Sequence, residues 1–269
     1  MADYSHYECL KIEVADRLAT VTFNRPDQGN SINHQFHIEL NQIWTDMMED
    51  GEVNAILLAA AGKYFCVGGD VKGMIDRPMG DVRGENDKVL WPGLSRHMLN
   101  AMLECEKPIV CAIHGDCIGL GATVALFTDI TVAAETARIA DPHVKIGLVA
   151  GDGGAVIWPL LVGPNRAKEY LMRGNRVTGK EAERIGLVNH AVPAGEVHEK
   201  AREIAQELAD GPTWAIRGTK YSVNKWLKDQ VNLILDASSA MEMVTFHTED
   251  HREAVRAFAD KRKPKFVGY

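Results

Sequence analysis

Apolar and polar positions alternate with a period of two along "YECLKIEV" and again along "LATVTFN". With Ala15-Asp16-Arg17 between them, these stretches predict a β-hairpin ended by Arg25-Pro26. From His34 the period lengthens. Phe36, Leu40, Ile43, Trp44 and Met47 recur at helical spacing and predict an amphipathic helix closing near Gly51, after which "NAILLAAAG" reads as a buried strand. "KYFCVGGDVKGM" is a glycine turn, and the polar stretch with Gly and Pro from Asp76 to Asp87 predicts a loop able to move. A helical pattern from about Val89 to Glu104 leads to the strand "PIVCAIHG", then to "DCIGLGATVALFTD", a glycine turn opening a helix. "ITVAAETARIA" is another strand region, and "GGAVIWPLLVG" predicts a short helix interrupted near Pro159.

Strand, turn, helix and strand repeat, as they do when parallel strands are joined by crossover helices. After about Arg184 the character changes: 196–210, 213–229 and 231–260 read as helices, and no further long strand is visible. The organisation expected is an α/β core over residues 1–195 and a helical region over 196–269.

Composition narrows the class. A chain of 269 residues, 46% hydrophobic and 25% charged, can bury one substantial core. Thirty basic against 37 acidic residues give a formal charge of −7, which disfavours a nucleic-acid surface. Five cysteines without a C-x-x-C pair fit reduced thiols and argue against a disulfide framework or a zinc site, so no metal is expected. No stretch is apolar enough to span a membrane, and the charged amino end lacks the pattern of a signal peptide, so a cytoplasmic protein is expected.

Three features could carry chemistry. "FCVGGD" (Phe65 to Asp70) and "GDCIGLGA" (Gly115 to Ala122) are glycine turns in which the main chain can approach a ligand and present unpaired N–H groups. Two such turns facing each other would make an oxyanion hole; each alone is a tight strand-to-helix connection. "GLGATV" lacks the third glycine of a dinucleotide fingerprint, and no Gly-Lys-Ser/Thr follows either turn. The histidines of "HTEDH" (His247, His251) and the pair His34 and His37 read as solvated helix faces. The glycine-rich apolar segment from Asp141 to Gly163 holds His143 and, nine positions on, Asp152. Either they are a core histidine and a helix cap, or the carboxylate orients the imidazole as a general base.

Several ordered motifs together resemble the crotonase, or enoyl-CoA hydratase/isomerase, superfamily over nearly the whole chain. "NRPDQGNSIN" and "FCVGGDVKGM" are similar to its first signature and first oxyanion turn, and "AIHGDCIGLGATVALFTDITVAAETARIADP" to its second turn and active-site strand. "GNRVTGKEAERIGLVNHAVP" resembles the segment before the helical region, and "AFADKRKPKFVG" the carboxyl end. The resemblance implies a ββα spiral fold of class α/β, a carboxyl-terminal helical region that trimerises, often as a dimer of trimers, and an acyl-CoA substrate with no separate cofactor. It implies a thioester oxygen held by the amides of Gly69 and Leu120, with the CoA adenine near Val67 and Val71. Gly68, Asp70, Gly119 and Thr123 would line the substrate, and Phe258 and Lys261 would assist from a neighbouring subunit.

The departures from the family pattern matter as much. Typical hydratases of the family carry glutamates where this chain has Thr123 and His143, and a threonine hydroxyl is not a useful base near neutrality. The segment is instead similar to the β-diketone hydrolase branch typified by oxocamphor hydrolase, where a histidine and an aspartate nine residues later occupy it. That branch lacks the "GGD" turn retained here, and its second active-site histidine falls on Leu120. The expectation is a CoA-thioester enzyme with His143 as acid/base and Asp152 orienting it, since a pKa near ~6.5 suits proton transfer at neutral pH better than one near ~4.3. Hydration or isomerisation of an enoyl-CoA comes first, C–C hydrolysis of a cyclic β-diketone or its CoA ester second, and an acyl-CoA-binding protein without turnover is the alternative of another class.

Overall fold

The computed structural model describes residues 2–70 and 91–269, so the loop expected at 76–87 lies outside the described residues. Strands β1 (Leu10–Ala15) and β2 (Leu18–Phe23) pair antiparallel, and Asp16 and Arg17 between them adopt φ of 50° and 62°. Two left-handed residues in a two-residue turn match the twist of the flanking strands and close the expected hairpin. Asn33 caps α1 (His34–Glu49) by accepting the Phe36 amide, and Phe36, Leu40, Ile43, Trp44 and Met47 form its buried stripe. Every residue of β3 (Ala55–Ala60) is buried, as a strand with neighbours on both edges and both faces must be.

After residue 90, α2 (Trp91–Glu104) leads through β4 (Ile109–Ile113), the two-residue β5 (Cys117–Ile118) and α3 (Leu120–Leu126) to β6 (Ile130–Ala134) and β7 (Arg138–Ala140). A 3-10 turn over His143–Ile146 precedes α4 (Gly154–Val162) and α5 (Pro164–Arg173). Then come β8 (Val177–Thr178), α6 (Gly179–Arg184), β9 (His190–Val192), α7 (Val197–Asp210), α8 (Thr213–Phe246) and α9 (Glu249–Ala259). The main sheet has the order β1-β2-β3-β4-β6-β9, parallel after the first hairpin, and β5-β7-β8 form a small second sheet.

Two details differ from the sequence expectation. Pro159 does not interrupt α4: the missing amide removes one internal hydrogen bond, Trp158 beside it is fully buried, and the helix continues to Gly163. The helices expected at 213–229 and 231–260 are instead one 34-residue helix and a short one, divided at Thr248, whose side chain caps α9 by accepting the His251 amide. Nothing at position 230 breaks the pattern, because the buried stripe of α8 runs on through Val231, Leu235, Ser238, Ser239, Glu242 and Phe246.

The helical region is tied closely to the sheet. α7 lays a stripe of small residues, Val197, Ala201, Ala205 and Ala209, against β3, β4 and β6. On α8, Lys220 donates to the Lys107 carbonyl at 2.8 Å and pairs with Asp129 at 2.7 Å, while Asn224 donates to the Leu103 carbonyl at 2.9 Å. Further along, the Ser238 and Ser239 hydroxyls both donate to the Gly151 carbonyl at 3.0 Å. Among the described residues no helix is long and apolar enough to cross a membrane, and all five cysteines are buried free thiols.

The Lys220–Asp129 contact yields a stability prediction. Burial pushes the Asp129 carboxyl up, with the Lys220 ammonium opposing that rise. Lys220→Met leaves the aspartate without its cation and costs on the order of 3 kcal/mol, read by urea unfolding. Lys220→Met combined with Asp129→Asn recovers part of that loss, because no uncompensated charge remains.

Candidate active site

The two glycine turns are brought together by the backbone itself. Cys66 and Cys117 form a parallel bridge in which Ile118 donates to the Cys66 carbonyl at 2.9 Å and Cys66 to the Asp116 carbonyl at 3.0 Å. Two residues further on, the chains touch: a Cβ on Gly68 would lie 3.1 Å from the Ile118 carbonyl oxygen, and one on Gly119 would lie 3.8 Å from the Gly68 Cα. Both glycines take positive φ, 95° and 56°, where a side chain is strained. Gly69 and Leu120 therefore stand on either side of one contact. Ile32 pairs with Gly69 by donating to the Gly68 carbonyl and accepting from the Asp70 amide, which turns the Gly69 amide away from Ile32. Leu120 is the first residue of α3, where the helix has no use for its N–H. The Gly119 amide donates to the Ala140 carbonyl at 2.8 Å and so joins the second turn to the end of β7.

His143 follows directly from that end. Asp141 Oδ1 accepts the His143 amide at 3.5 Å and is hydrogen-bonded to His143 Nδ1. The other ring nitrogen, Nε2, faces Asp152 Oδ2 at 3.4 Å and Glu242 Oε1 at 3.9 Å. Thr123 Oγ1 donates to Asp152 Oδ1 at 3.3 Å. The ring lies under the second turn, since a Cβ on Gly119 would be 3.7 Å from His143 Cε1. Asp152 does not cap α4: the cap residue is Gly153, with no side-chain capping bond, and the Asp152 carboxylate turns to the imidazole instead.

Charge in this pocket is decided by neighbours against burial. Burial disfavours a charged His143, but Asp141 and Asp152 outweigh it and hold the imidazole well above its usual range. The sequence reading starts from an imidazole at its ordinary value; the flanking carboxylates favour the charged ring instead. Burial alone would raise Asp152, yet the His143 charge and the Thr123 hydroxyl bring it below the ordinary aspartate value. For Glu242, burial and then the Asp152 charge push the carboxyl up to about 8, so it stays protonated at neutral pH. Two carboxyl groups facing one nitrogen are thus split into an ionised and a protonated member.

Glu242, Asp141 and His37 escape a linear reading. Glu242 sits on the buried stripe of α8 between Ser239 and Phe246, so a carboxylate at an otherwise core-facing helical position was the available signal. Asp141 is two residues from His143 and is 2% exposed. His37, expected on a solvated face, is buried in α1, and burial pushes its imidazole down to about 4 although the Asp152 charge opposes this. His251 is likewise not solvated, since it is buried and its Nδ1 lies 2.7 Å from the Ile146 carbonyl. Val67 is exposed at the first turn, Asp70 follows Gly69, and Val71 lies outside the described residues. Phe258 is exposed at the end of α9 and Lys261 lies just beyond it, neither among the groups around His143.

Ligating atoms of Asp141, His143 and Asp152 fall within 4.8 Å of one another, close enough to hold a metal ion. Asp141 and Asp152 face different nitrogens of one ring, however, and its lone pairs diverge. A single ion at Nε2 would have Asp152 and Glu242 beside it and not Asp141. The arrangement as it stands is a set of hydrogen-bonded and charge-paired groups suited to proton transfer.

Known proteins are similar to this chain over nearly their whole length. The family model described as enoyl-CoA hydratase/isomerase matches residues 13–268. A short-chain-enoyl-CoA hydratase from Clostridium acetobutylicum is 32% identical over 253 residues, 94% of this chain and 95% of that protein. A 1,2-epoxyphenylacetyl-CoA isomerase from Escherichia coli is 29% identical over 264 residues, 97% of this chain and 99% of that protein. The crystal structure of an enoyl-CoA hydratase/isomerase from Mycobacterium paratuberculosis superposes with a TM-score of 0.85 at 32% identity, covering 92% of this chain and 97% of that one. A matching family model from one end of the chain to the other, together with paired glycine turns on the corresponding fold, places this protein in the enoyl-CoA hydratase/isomerase family, the crotonase superfamily.

Proposed function

We propose that the protein acts on a CoA thioester, holding the thioester oxygen between the Gly69 and Leu120 amides and moving a proton at His143. The observation that carries this reading is the contact of the two glycine turns directly above an imidazole whose Nε2 faces two carboxyl groups. Two N–H groups aimed at a developing oxyanion stabilise it most where water is excluded. The names of the Clostridium and Escherichia coli relatives both specify CoA thioesters, which supports CoA as part of the substrate.

Hydration or isomerisation of an enoyl-CoA is the first reading. In hydration, the water oxygen bonds to the β-carbon while its proton passes to ionised Asp152. The double-bond electrons move toward the thioester oxygen, and the α-carbon of the resulting enolate takes a proton from the His143 imidazolium. The proton on Asp152 then returns to His143, so one water is added and the site is restored. Glu242 keeps its proton and limits the negative charge in the pocket. In isomerisation, the same groups remove a proton from one carbon and return it to another.

A second reading is favoured by the 3.4 Å approach of His143 Nε2 to Asp152 across nine residues of sequence, the spacing of the β-diketone hydrolase branch. Water then adds to a ring carbonyl while its proton passes to Asp152, the C–C bond beside that carbonyl breaks to leave a carboxylic acid, and the released electrons form an enolate held by the same amides. The enolate carbon takes a proton from His143, and the proton on Asp152 returns to the ring. The exposed Trp214, Leu233 and Phe258 leave apolar surface on the helical region for a contact between copies, and the resemblance to the family implies a trimer in which Phe258 and Lys261 assist at a neighbour's thioester.

Assaying enoyl-CoA and cyclic β-diketone substrates side by side separates these readings, with turnover of the thioester expected. His143→Gln should lower it on the order of 10²–10⁴-fold; wild-type rates in a folded variant would rule His143 out as the proton carrier. At Leu120, Pro is tolerated as the first helical residue but deletes the N–H, so Leu120→Pro should lose on the order of 10²–10³ in turnover while Leu120→Ala keeps most of it. Equal losses in both would refute the oxyanion assignment.

Glu242 gives a pH prediction free of any substrate. Its folded pKa of about 8 stands above its ordinary value of 4.5, so its contribution to stability is complete below about pH 4.5 and is lost as pH rises to about 8. Glu242→Gln mimics the protonated form and should be more stable relative to wild type at pH 8 than at pH 5, as read by thermal unfolding. A stability difference independent of pH would contradict a protonated Glu242.

A further inference from the structure

The two ring nitrogens of His143 have different surroundings, and the difference assigns them different work. Nδ1 is in hydrogen-bond contact with Asp141, whereas Nε2 is 3.4 Å from Asp152 and 3.9 Å from Glu242. Asp141 is held from three sides. Its Oδ1 also accepts the His143 amide at 3.5 Å, so Asp141, Pro142 and His143 form a local turn that joins carboxylate and imidazole two residues apart. The residue before it, Ala140, is bonded to the Gly119 amide. On the far side, a Cβ on Gly154 would lie 1.9 Å from Asp141 Oδ2 and so could not be accommodated: the start of α4 is shaped around this oxygen.

Asp141 Oδ2 is buried and accepts no hydrogen bond among the described residues. A carboxylate oxygen kept dry and unpaired is unfavourable, and an asparagine or serine could tie the local turn without it. What a carboxylate does and those residues do not is fix the proton on Nδ1 and stabilise positive charge on the ring.

We propose that Asp141, and not Asp152, is the positioning residue of His143: it fixes the ring through Nδ1 and leaves Nε2 as the nitrogen that exchanges a proton with substrate. This rests on the reading of His143 as the proton carrier. Asp152 then belongs to the reacting side of the ring, together with Glu242. Among the described residues, the charged and titratable groups facing the ring are Asp141 ahead of the 3-10 turn, Asp152 ahead of α4 and Glu242 from α8, with His37 of α1 interacting with Asp152.

The test is 15N-histidine NMR of the full-length protein with Asp141→Asn, which keeps the shape of the side chain against Gly154. Wild type should show His143 protonated at Nδ1 with a strongly downfield proton. In Asp141→Asn that resonance should move upfield and the ring should titrate at lower pH, because one of its anionic neighbours is gone. With a short-chain enoyl-CoA as the probe, kcat should fall on the order of 10²-fold with KM little changed, and the pH–rate limb should move to lower pH. A variant with wild-type His143 titration and wild-type kcat would overturn the proposal. If Asp141→Asn does not fold, the wild-type spectrum decides, since an Nδ1 without a proton is incompatible with the proposal. Normal turnover in His143→Gln would instead sink the reading of His143 itself, and the Nδ1 resonance reports on Asp141 independently of that outcome.

Discussion

Two chain reversals can offer their amides to one point when their backbones touch; here a side chain at Gly68 would crowd the Ile118 carbonyl oxygen, and both Gly68 and Gly119 hold a positive φ that disfavours any side chain. The rest of the site is arranged from that contact. The Cys66–Cys117 bridge aligns the strands leading into the turns, β7 is hydrogen-bonded to the second turn through Ala140 and Gly119, and the chain leaving β7 delivers Asp141 and His143 beneath it. A small two-residue strand, β5, thus positions more chemistry than any long strand of the main sheet.

Enclosing an imidazole with three carboxyl groups is costly unless the charges are matched. Here the matching is uneven. Asp141 and Asp152 stabilise one positive ring, and Glu242 avoids a third negative charge by keeping its proton. Asp152 and Glu242 thus meet the same ring nitrogen in opposite protonation states, and the pocket carries one negative charge fewer than its carboxyl groups would allow.

Much of this was legible in the sequence. Period-two alternation gave the hairpin, helical spacing gave the buried face of α1, and glycine turns flanked by strands marked the two turns whose backbones meet. The short elements β8, β9 and α5 were not legible, because two or three residues cannot display a period and the α5 pattern is largely polar. Glu242 was hidden for another reason. It is 99 positions from His143 in the chain, and only the fold shows that a helix read as peripheral returns to the site. The pairing of Asp141 with His143 spans only two residues and is local enough to be read from the sequence.

The paired Ser238 and Ser239 hydroxyls on the Gly151 carbonyl make α8 a structural member of the loop that carries Asp152. The helical region is therefore not an interchangeable module. Grafting the segment beyond residue 196 from a relative onto this core would exchange one of the acids beside the imidazole and the clamp that places its neighbour. Chimaeras in this family that treat the helices as an oligomerisation handle would alter the protonation of the active site without changing a residue of the α/β core.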